Sequence, residues 1–306
     1  MLNKIIFDVD TGIDDAMAMA YAVKASELEV LAFTTCFGNV PVEDATRNTL
    51  TVLEKLGKQI PVYQGAAETF ARGEKTHWAR HVHGEDGLGN KRSDDILNFQ
   101  AESQYAPDFI IEQVKKHPHE ITIIAVGPLT NIALAIQKDP EIVSLVKEVV
   151  IMGGAVRVPG NTTPFAEANI HADPEAAEFV FASGIEVVLV GLDVTMQTLL
   201  PISKLQEWRE TGKESAAFLA DITEFYIDFY ESTYPGIGGC ALHDPLAVGV
   251  VIDPSFVKME TIEVGVVTEG EEVGRTFEQS NGGPKIRVCT EVDADRFVEH
   301  FVNHTV

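Results

Sequence analysis

The stretch that most constrains the fold of this 306-residue chain is KIIFDVDTGIDDA, residues 4–16. Residues 4–7 are apolar and rich in β-branched side chains, which predicts a buried strand. Gly12 allows a tight turn, and Asp14 is expected to cap a helix that continues through 16–20. The stretch therefore predicts a strand, a turn and a helix in immediate succession.

Four carboxylates surround this turn: Asp8, Asp10, Asp14 and Asp15. Acids held together at a strand end and a helix start repel each other unless a positive charge lies between them. A hard divalent cation with oxygen ligands fits such a position. One aspartate at a helix start is usually an ordinary cap, but four around a single turn indicate a metal site.

Composition and charge restrict the possible partners. Hydrophobic residues make up 45% of the chain, as in a globular protein, and the formal net charge is −24. This charge argues against binding to nucleic acid or to an anionic membrane surface, and favours a small neutral substrate or a bound cation. The chain has no apolar run of 18 residues and no signal-peptide core before the first strand, so we expect no membrane span. Cys36, Cys240 and Cys289 are scattered and form no CxxC, which is typical of a cytoplasmic protein.

Strands and helices alternate along most of the chain. The patterns predict strands at 29–35, 60–63, 121–126, 149–152 and 186–190, and helices at 42–56, 109–116, 174–183, 203–210, 216–231 and 294–304, with another helix that ends at Gln137. Residues 65–95 look irregular and long enough to be a functional loop, and 261–269 and 276–290 look like hairpin strands. We therefore expect one α/β domain, residues 1–306, with an open, mostly parallel sheet flanked by helices and added C-terminal β-hairpins.

Polar or chemically distinct residues follow several predicted strands. Asp10, Asn39, Val126 and Met152 all lie at or just beyond a strand end. Ligands of parallel sheets bind beyond the carboxyl ends of the strands. We therefore expect these residues to share one site.

A second polar cluster follows the Met152 strand. Asp173 precedes Pro174 and is predicted to cap the next helix. Asn161, Glu167 and Asn169 lie in irregular chain with no evident capping role. Their amides and carboxylate suit the binding of vicinal hydroxyls, although a polar surface loop is the alternative.

A third cluster is His243-Asp244-Pro245, at the start of the apolar helix 246–251. Asp244 could cap that helix, and His243 could be a surface histidine. Tyr226 and Tyr230 are four residues apart and share one helix face. They could be either core residues or ligand contacts.

Together these clusters resemble the nucleoside hydrolase family, of the inosine–uridine preferring type. The matching motifs run through the chain in family order: residues 8–16 (DVDTGIDDA), 38–39 (GN), 83–84 with 87–89 (HG and GLG), 127–131 (GPLTN), 152–154 (MGG), Asn161 with 167–169 (EAN), 173–177 (DPEAA) and 243–245 (HDP). The aspartate-rich opening is the most specific of these motifs.

The resemblance implies a Ca²⁺ ion and a ribonucleoside substrate. The calcium ligands would be Asp10, Asp15, Asp244 and the backbone carbonyl of Val126. The ribose hydroxyls would be held by Asp14, Asn39, Asn161, Glu167 and Asn169, with Met152 close to the sugar. Two positions depart from the family pattern: Thr11 stands where proline is frequent, and Ala168 stands where an aromatic is common and would form a wall of the ribose pocket.

The resemblance also implies a reaction, hydrolysis of the N-glycosidic bond to free base and ribose. The expected catalytic residues are Asp10, which would take a proton from a metal-bound water, His243, which would assist departure of the base, and Asn169. His83, Tyr226 and Tyr230 would cover the nucleobase. A homo-oligomer (dimer or tetramer) and a place in nucleoside salvage are further implications. The preference between purine and pyrimidine bases stays open.

Two other functions have some support in the residues. Asp8-Val9-Asp10-Thr11 also looks like the opening of haloacid-dehalogenase-type phosphatases, but the later lysine and acidic pair of that family are not apparent. A calcium-stabilised nucleoside-binding or sensor protein on the same fold would be expected to lack His243 or Asp10, and both are present. Residues 236–239 (GIGG) are not followed by Lys-Ser/Thr, so they are not a phosphate-binding loop.

Overall fold

The computed structural model of the protein describes residues 2–93 and 97–306. Within these ranges thirteen strands are formed: β1 (Asn3–Val9), β2 (Leu28–Thr35), β3 (Val62–Gln64), β4 (Glu68–Thr69), β5 (Gly73–Glu74), β6 (Ile121–Ala125), β7 (Glu148–Met152), β8 (Val187–Val190), β9 (Leu199–Pro201), β10 (Gly239–Ala241), β11 (Val257–Val266), β12 (Thr276–Gln279) and β13 (Ile286–Val292).

Nine of these strands form one sheet, in the order β12-β11-β13-β8-β7-β6-β1-β2-β3. The pairs from β13 to β3 are parallel, whereas β11 pairs antiparallel with both β13 and β12. The prediction of a mostly parallel sheet with antiparallel additions near the C-terminus is confirmed. The remaining strands form two small pairs, β9 with β10 and β4 with β5.

Thirteen helices are found in the described residues, most of them covering the two faces of the sheet. They are α1 (Ile13–Lys24), α2 (Val42–Lys55), α3 (Arg80–His83), α4 (Ala106–Lys116), α5 (Thr130–Lys138), α6 (Ile142–Leu145), α7 (Ala168–Ala172), α8 (Pro174–Ala182), α9 (Leu192–Thr195), α10 (Ser203–Glu210), α11 (Glu214–Thr233), α12 (His243–Ile252) and α13 (Ala294–Thr305). A short 3₁₀ helix spans Pro254–Phe256.

The central strands are apolar on both faces because helices cover both sides of the sheet. In β1, Phe7 belongs to the core beneath α1, α11, α12 and α13, whereas Ile6 belongs to the core beneath α4, α5 and α8. In β7, Val150 and Ile151 divide between the two cores in the same way. Successive side chains of a strand point to opposite faces, so continuous apolar runs mark strands buried on both sides.

The C-terminal strands pair antiparallel, as expected of hairpins. Residues 276–290 were predicted as hairpin strands around Gly- and Glu-rich turns. They contain β12, which pairs with β11, and most of β13, which pairs with both β11 and β8 and so joins the parallel part of the sheet. Gly282 has a positive φ of 83° in the connection between them. A glycine in that conformation favours a turn, which ends one strand and begins the next.

The irregular segment predicted at 65–95 contains β4, β5 and α3 between coil regions. Its last two residues, 94 and 95, lie outside the described residues. None of the helices in 2–93 and 97–306 is long and apolar enough to cross a membrane.

Candidate active site

The aspartates of the first motif lie where β1 ends and α1 begins. Asp8, Asp10, Asp14 and Asp15 are all buried, with Asp14 the most exposed at 7%. Asp15 accepts hydrogen bonds from the backbone N–H groups of Asp10 (3.1 Å) and Gly12 (2.8 Å), and so closes the turn. The expected capping role of Asp14 is wrong, since α1 begins at Ile13 and Gly12 is its N-cap.

The two carboxylate oxygens of Asp10 differ in their contacts. Its Oδ2 accepts a hydrogen bond of 2.6 Å from the backbone N–H of Asn39, whereas its Oδ1 is buried and has no hydrogen-bond partner among the described residues. Two glycines leave room for the carboxylate. A Cβ added to Gly38 would lie 1.9 Å from Oδ2, and one added to Gly127 would lie 3.0 Å from Oδ1. The sequence motifs at both glycines thus keep space for this acid.

Asp244 completes an acidic cluster from the other end of the chain. It lies in the first turn of α12, whose N-cap is Leu242, so the alternative of a capping Asp244 is wrong. Carboxylate oxygens of Asp14, Asp15 and Asp244 lie within 4.8 Å of one another. Asp10 lies against the same turn but outside this group of three.

The residues present fit a hard cation. Each side-chain donor in the cluster is a carboxylate oxygen, and within 2–93 and 97–306 the buried Oδ1 atoms of Asp10 and Asp14 have no hydrogen-bond partner. The pKa of Asp10 is raised to about 7, chiefly by burial and also by the charge of Asp14, while the hydrogen bond from Asn39 and the charge of Lys75 act in the opposite direction. Burial also raises the pKa of Asp15 and Asp244, with neighbouring aspartates adding to the effect. Carboxylates that repel one another in this way are stabilised by a bound divalent cation.

The side-chain amide of Asn169 contacts the backbone carbonyl of Val126, and both were predicted to lie beside this cluster. The side-chain nitrogen of Asn169 donates to the backbone oxygen of Val126 (2.8 Å) and to that of Met152 (3.1 Å). Val126 directly follows β6, and Met152 is the last residue of the adjacent strand β7. Asn169 therefore bridges the carboxyl ends of both strands. The remaining acceptor of its amide is Oδ1.

Glu167 has a structural task that the sequence did not reveal. It is the N-cap of the short helix α7, and its carboxylate accepts from the backbone N–H groups of Asn169 and Ile170. It also accepts from the N–H of Gly154 at 3.0 Å. The expectation that this residue has no capping role is therefore wrong. Asn161 contacts the same turn, because its Oδ1 accepts from the N–H of Ala168 at 3.0 Å.

Aromatic rings lie beside the acidic cluster and contact Asp14. His83 is stacked on Tyr226 with ring centroids 5.6 Å apart, and Tyr226 meets Tyr230 edge-to-face at 5.0 Å. The Tyr226 hydroxyl donates to Oδ2 of Asp14 at 3.2 Å. Nδ1 of His83 accepts from the backbone N–H of Ile13, and burial lowers the pKa of His83 to about 3. The ring is therefore neutral with its hydrogen on Nε2, and its approach to Asp14 at 3.9 Å is not an ion pair.

His243 is buried, so the surface alternative for this residue is wrong. Its Nε2 lies 2.6 Å from the Tyr230 hydroxyl and its Nδ1 lies 2.7 Å from the Thr195 hydroxyl. Burial lowers the pKa of His243 to about 4, although the charge of Asp14 raises it. The imidazole is thus neutral near pH 7 in the free protein, and the sequence-based reason for its role, titration near neutrality, does not apply.

One cavity of about 250 Å³ brings most of the predicted residues together. Those that line it are Asp14, Asn39, His83, Val126, Met152, Asn161, Glu167, Asn169, Tyr226, Tyr230, His243 and Asp244. Asp10 and Asp15 do not line it and are 1% and 0% exposed. The cavity lining therefore combines acids and amides with aromatic rings.

Several contacts were missed in the sequence. Phe229 and Thr233 line the cavity and follow Tyr226 at intervals of three and seven, so helical spacing would have identified them. Met196 and Tyr234 also line it, and Thr195 contacts His243. Neither Met196 nor Thr195 carries a sequence signal, because each reaches the site only through the tertiary fold.

The comparisons with known proteins agree on one family. Residues 5–299 match the family model described as inosine-uridine preferring nucleoside hydrolase. Uridine nucleosidase 1 from Arabidopsis thaliana is 41% identical over 276 residues, 90% of this chain and 81% of that protein. The inosine-uridine preferring nucleoside hydrolase from Leishmania major is 38% identical over 304 residues, 97% of this chain and 95% of that protein.

The fold agrees with the sequence comparison. The structure of a purine-preferring ribonucleoside hydrolase from Gardnerella vaginalis superposes with a TM-score of 0.95 at 40% identity, covering 99% of this chain and 98% of that one. These matches decide against the phosphatase and the non-catalytic sensor. They also agree with the acidic cluster, since nucleoside hydrolases are metal-dependent. The chain belongs to the inosine-uridine preferring nucleoside hydrolase family and is a nucleoside N-glycosyl hydrolase.

Proposed function

We propose that the protein hydrolyses ribonucleosides to free base and ribose with Ca²⁺ as its metal, Asp10 as general base and His243 assisting departure of the base. The observation that carries this proposal is one cavity whose lining combines carboxylates and amides with hydrogen-bonded aromatic rings, beside the buried Asp10. The arrangement separates two tasks, stabilising positive charge on the sugar and releasing the base.

Ca²⁺ fits the donor set because it prefers six to eight oxygen ligands. The proposed ligands are Asp10, Asp15, Asp244 and the carbonyl of Val126, and the grouping of Asp15 and Asp244 within 4.8 Å supports them. The same group contains Asp14, which lies near enough to compete for that role. When bound, the ion would lower the pKa of a coordinated water and orient it.

Asp10 is the proposed general base. Its Oδ2 is held by the Asn39 N–H at 2.6 Å, while its buried Oδ1 has no partner in the part of the chain that the structure describes and is available for a proton from water. A bound cation would keep this carboxylate ionised, opposing the burial that raises its pKa to about 7. A positioned base contributes typically about 10²–10⁴-fold to the rate.

The acidic side of the cavity suits the sugar. Cleavage of an N-glycosidic bond passes through an oxocarbenium-like state, in which positive charge develops on the ribose. Buried carboxylates placed before the reaction stabilise that charge more strongly than water does. Asp14, Asn39, Asn161, Glu167 and Asn169 supply acceptors and donors for the ribose hydroxyls, with Met152 beside the sugar.

The aromatic side suits the nucleobase. His83, Tyr226 and Tyr230 offer ring faces and edges, which bind planar bases by stacking. The His243 imidazole is neutral in the free enzyme, so it acts together with Tyr230, whose hydroxyl lies 2.6 Å from Nε2. A hydrogen bond from this pair to the departing base offsets the negative charge that develops on it.

A panel assay tests the proposal. Ribose release from inosine, uridine, cytidine and adenosine is measured with native enzyme, with chelator-treated enzyme and after Ca²⁺ is restored. We expect activity that chelator removes and Ca²⁺ restores, and Asp10→Asn should be inactive in all three states. Full activity in enzyme shown by elemental analysis to hold no divalent metal would refute the calcium role, and full activity of Asp10→Asn would refute the base.

A further inference from the structure

A lysine outside every sequence motif lies beside the proposed base. Lys75 belongs to the segment between β5 and α3, and it is half-buried. Its Nζ donates a hydrogen bond of 2.7 Å to the backbone oxygen of Gly38. Burial raises the pKa of Asp10, and the charge of Lys75 opposes this rise, which indicates that the two groups are close.

We propose that Lys75 is a positioning residue that orients the Asp10 carboxylate through the peptide group joining Gly38 to Asn39. The carbonyl of this peptide accepts from Lys75 Nζ, and the N–H of the same peptide donates to Asp10 Oδ2 at 2.6 Å. A single amide plane therefore connects the ammonium group to the carboxylate.

Such a connection strengthens both hydrogen bonds. A charged donor on a carbonyl polarises the amide, and its N–H then becomes a better donor to an anionic acceptor. Both bonds are short, and Asp10 is 1% exposed, so little water competes with them. The rotation of Asp10 is thereby restricted, which keeps Oδ1 free for the attacking water.

The surrounding chain holds the peptide in place. A Cβ on Gly38 would lie 1.9 Å from Asp10 Oδ2, so backbone and carboxylate are in direct contact. The backbone oxygen of Asn39 accepts from the N–H of Ala79, four residues after Lys75. Lys75 Nζ also lies 5.7 Å from the centroid of the Trp78 ring, within cation–π range. The segment 75–79 thus contacts both peptide oxygens that flank the donor to Asp10.

This inference rests on the proposed role of Asp10, and a set of variants tests the two separately. Lys75→Met removes the donor and keeps the apolar stem, whereas Lys75→Arg keeps a cationic donor. Lys285→Met removes the charge of an exposed lysine in the connection before β13 and serves as the control. For each variant kcat and KM are measured for inosine and uridine, together with the melting temperature.

We expect Lys75→Met to lower kcat by roughly tenfold or more, since a misplaced catalytic group loses much of its effect. KM should stay within about threefold, because the lysine is not among the residues lining the cavity. Lys75→Arg should restore most of kcat, and Lys285→Met should match the native enzyme.

Two results would overturn the inference. One is a Lys75→Met enzyme with native kcat. The other is a loss of kcat that comes with an equal rise in KM, a lower melting temperature and no recovery in Lys75→Arg, which would indicate a purely structural lysine. If Lys75→Met does not fold, Lys75→Gln, whose amide is too short to reach Gly38, carries the same comparison. An Asp10→Asn enzyme with native kcat would instead refute the proposed base, and the inference with it.

Discussion

The hydroxyl of Tyr230 lies 2.6 Å from Nε2 of His243, and both side chains are at least 96% buried. The other ring nitrogen, Nδ1, lies 2.7 Å from the Thr195 hydroxyl. A neutral imidazole carries one hydrogen, so the two hydroxyls together determine which nitrogen donates. If Thr195 donates to Nδ1, the Nε2 hydrogen is directed at Tyr230, and the Tyr230 hydrogen is left for a ligand in the cavity.

Thr195→Val should therefore impair catalysis without changing the shape of the site. The valine leaves Nδ1 of buried His243 without a partner, which typically costs about 1–3 kcal/mol in stability. It also removes the preference for one tautomer, so kcat on inosine and uridine should fall. Thr195→Ser keeps the hydroxyl and is the matched control. Equal kcat values for the two variants would show that Thr195 does not determine the tautomer.

The alternation of strands and helices was predictable because it depends on local periodicity. The helix at Ser203–Glu210 agrees with the prediction at both ends, and most other elements agree within a few residues. Helix caps were less predictable. Asp14 and Asp244 both precede apolar helical residues as caps do, yet both lie inside the first turn, because the residue two positions earlier, Gly12 or Leu242, takes the cap position.

Contacts between distant segments carry no local pattern. Thr195 is 48 residues from His243, and Lys75 is 37 residues from Gly38. Nothing in the sequence near either residue marks it as a partner, so only the tertiary fold reveals the contact. Residues within the aspartate-rich motif were identifiable because four acids around one turn need a common physical explanation.

Gly38→Ala should nearly abolish activity while the fold is kept. The new methyl group would lie 1.9 Å from Oδ2 of Asp10, so the carboxylate must leave its position against the Asn39 N–H. A displacement of about 1 Å can cost on the order of 10²-fold in rate. Gly283→Ala, in an exposed turn where the methyl would meet only the Glu263 side chain, is the control. A Gly38→Ala enzyme with native kcat would show that the position of Asp10 is not critical.

Chelation should lower the stability of the protein, and Ca²⁺ should restore it. The cluster of Asp14, Asp15 and Asp244 is buried, so without a cation its charges repel one another in a poorly solvated site. At a free Ca²⁺ concentration of about 100 times Kd, linkage predicts a stabilisation of about 2.7 kcal/mol. Thermal unfolding with chelator, Ca²⁺ or Mg²⁺ measures the effect, and equal melting temperatures under all three conditions would count against a metal in the cluster.

The chelated protein should also become less stable as the pH rises. Burial raises the pKa of Asp8 and of Asp10 from 3.8 to about 7. Between about pH 4 and pH 7 the folded state therefore binds more protons than the unfolded state, so the free energy of unfolding decreases with increasing pH. Ca²⁺ competes with those protons and should stabilise the protein more at about pH 7.5 than at about pH 5. Melting temperatures of the chelated protein that rise across this window would contradict the burial of ionisable carboxyls.

Ribonucleosides should be hydrolysed much faster than 2′-deoxyribonucleosides. Asp14 and Asn169 both line the cavity and are proposed to bind the 2′-hydroxyl. Without that hydroxyl the buried Asp14 and the partly buried Asn169 each lose a partner, which costs about 1–3 kcal/mol per group before any effect on the transition state. The ratio of kcat/KM for uridine and deoxyuridine measures this loss. Similar values for the two substrates would argue against these sugar contacts.

The role of His243 can be separated from that of the acids by changing the leaving group. His243→Ala should lower kcat on inosine and uridine by about 10²–10⁴-fold, the usual contribution of a positioned acid or hydrogen-bond donor. The loss should be far smaller on p-nitrophenyl riboside, because its leaving group departs as a stable anion and needs no hydrogen bond from the Tyr230–His243 pair. Ca²⁺ binding should be retained, since the adjacent Asp244 keeps its place in the first turn of α12.

Tyr230→Phe provides the matched comparison, because it removes the hydroxyl at 2.6 Å from Nε2 and leaves the imidazole in place. If the pair acts on the base, both variants should show the same dependence on the leaving group. Asp10→Asn should be equally impaired on both substrates, because activation of water is needed whichever group departs. Equal losses for His243→Ala on uridine and p-nitrophenyl riboside would assign the histidine to support of Asp244 instead, and a fall in Ca²⁺ affinity in the same variant would identify that role directly.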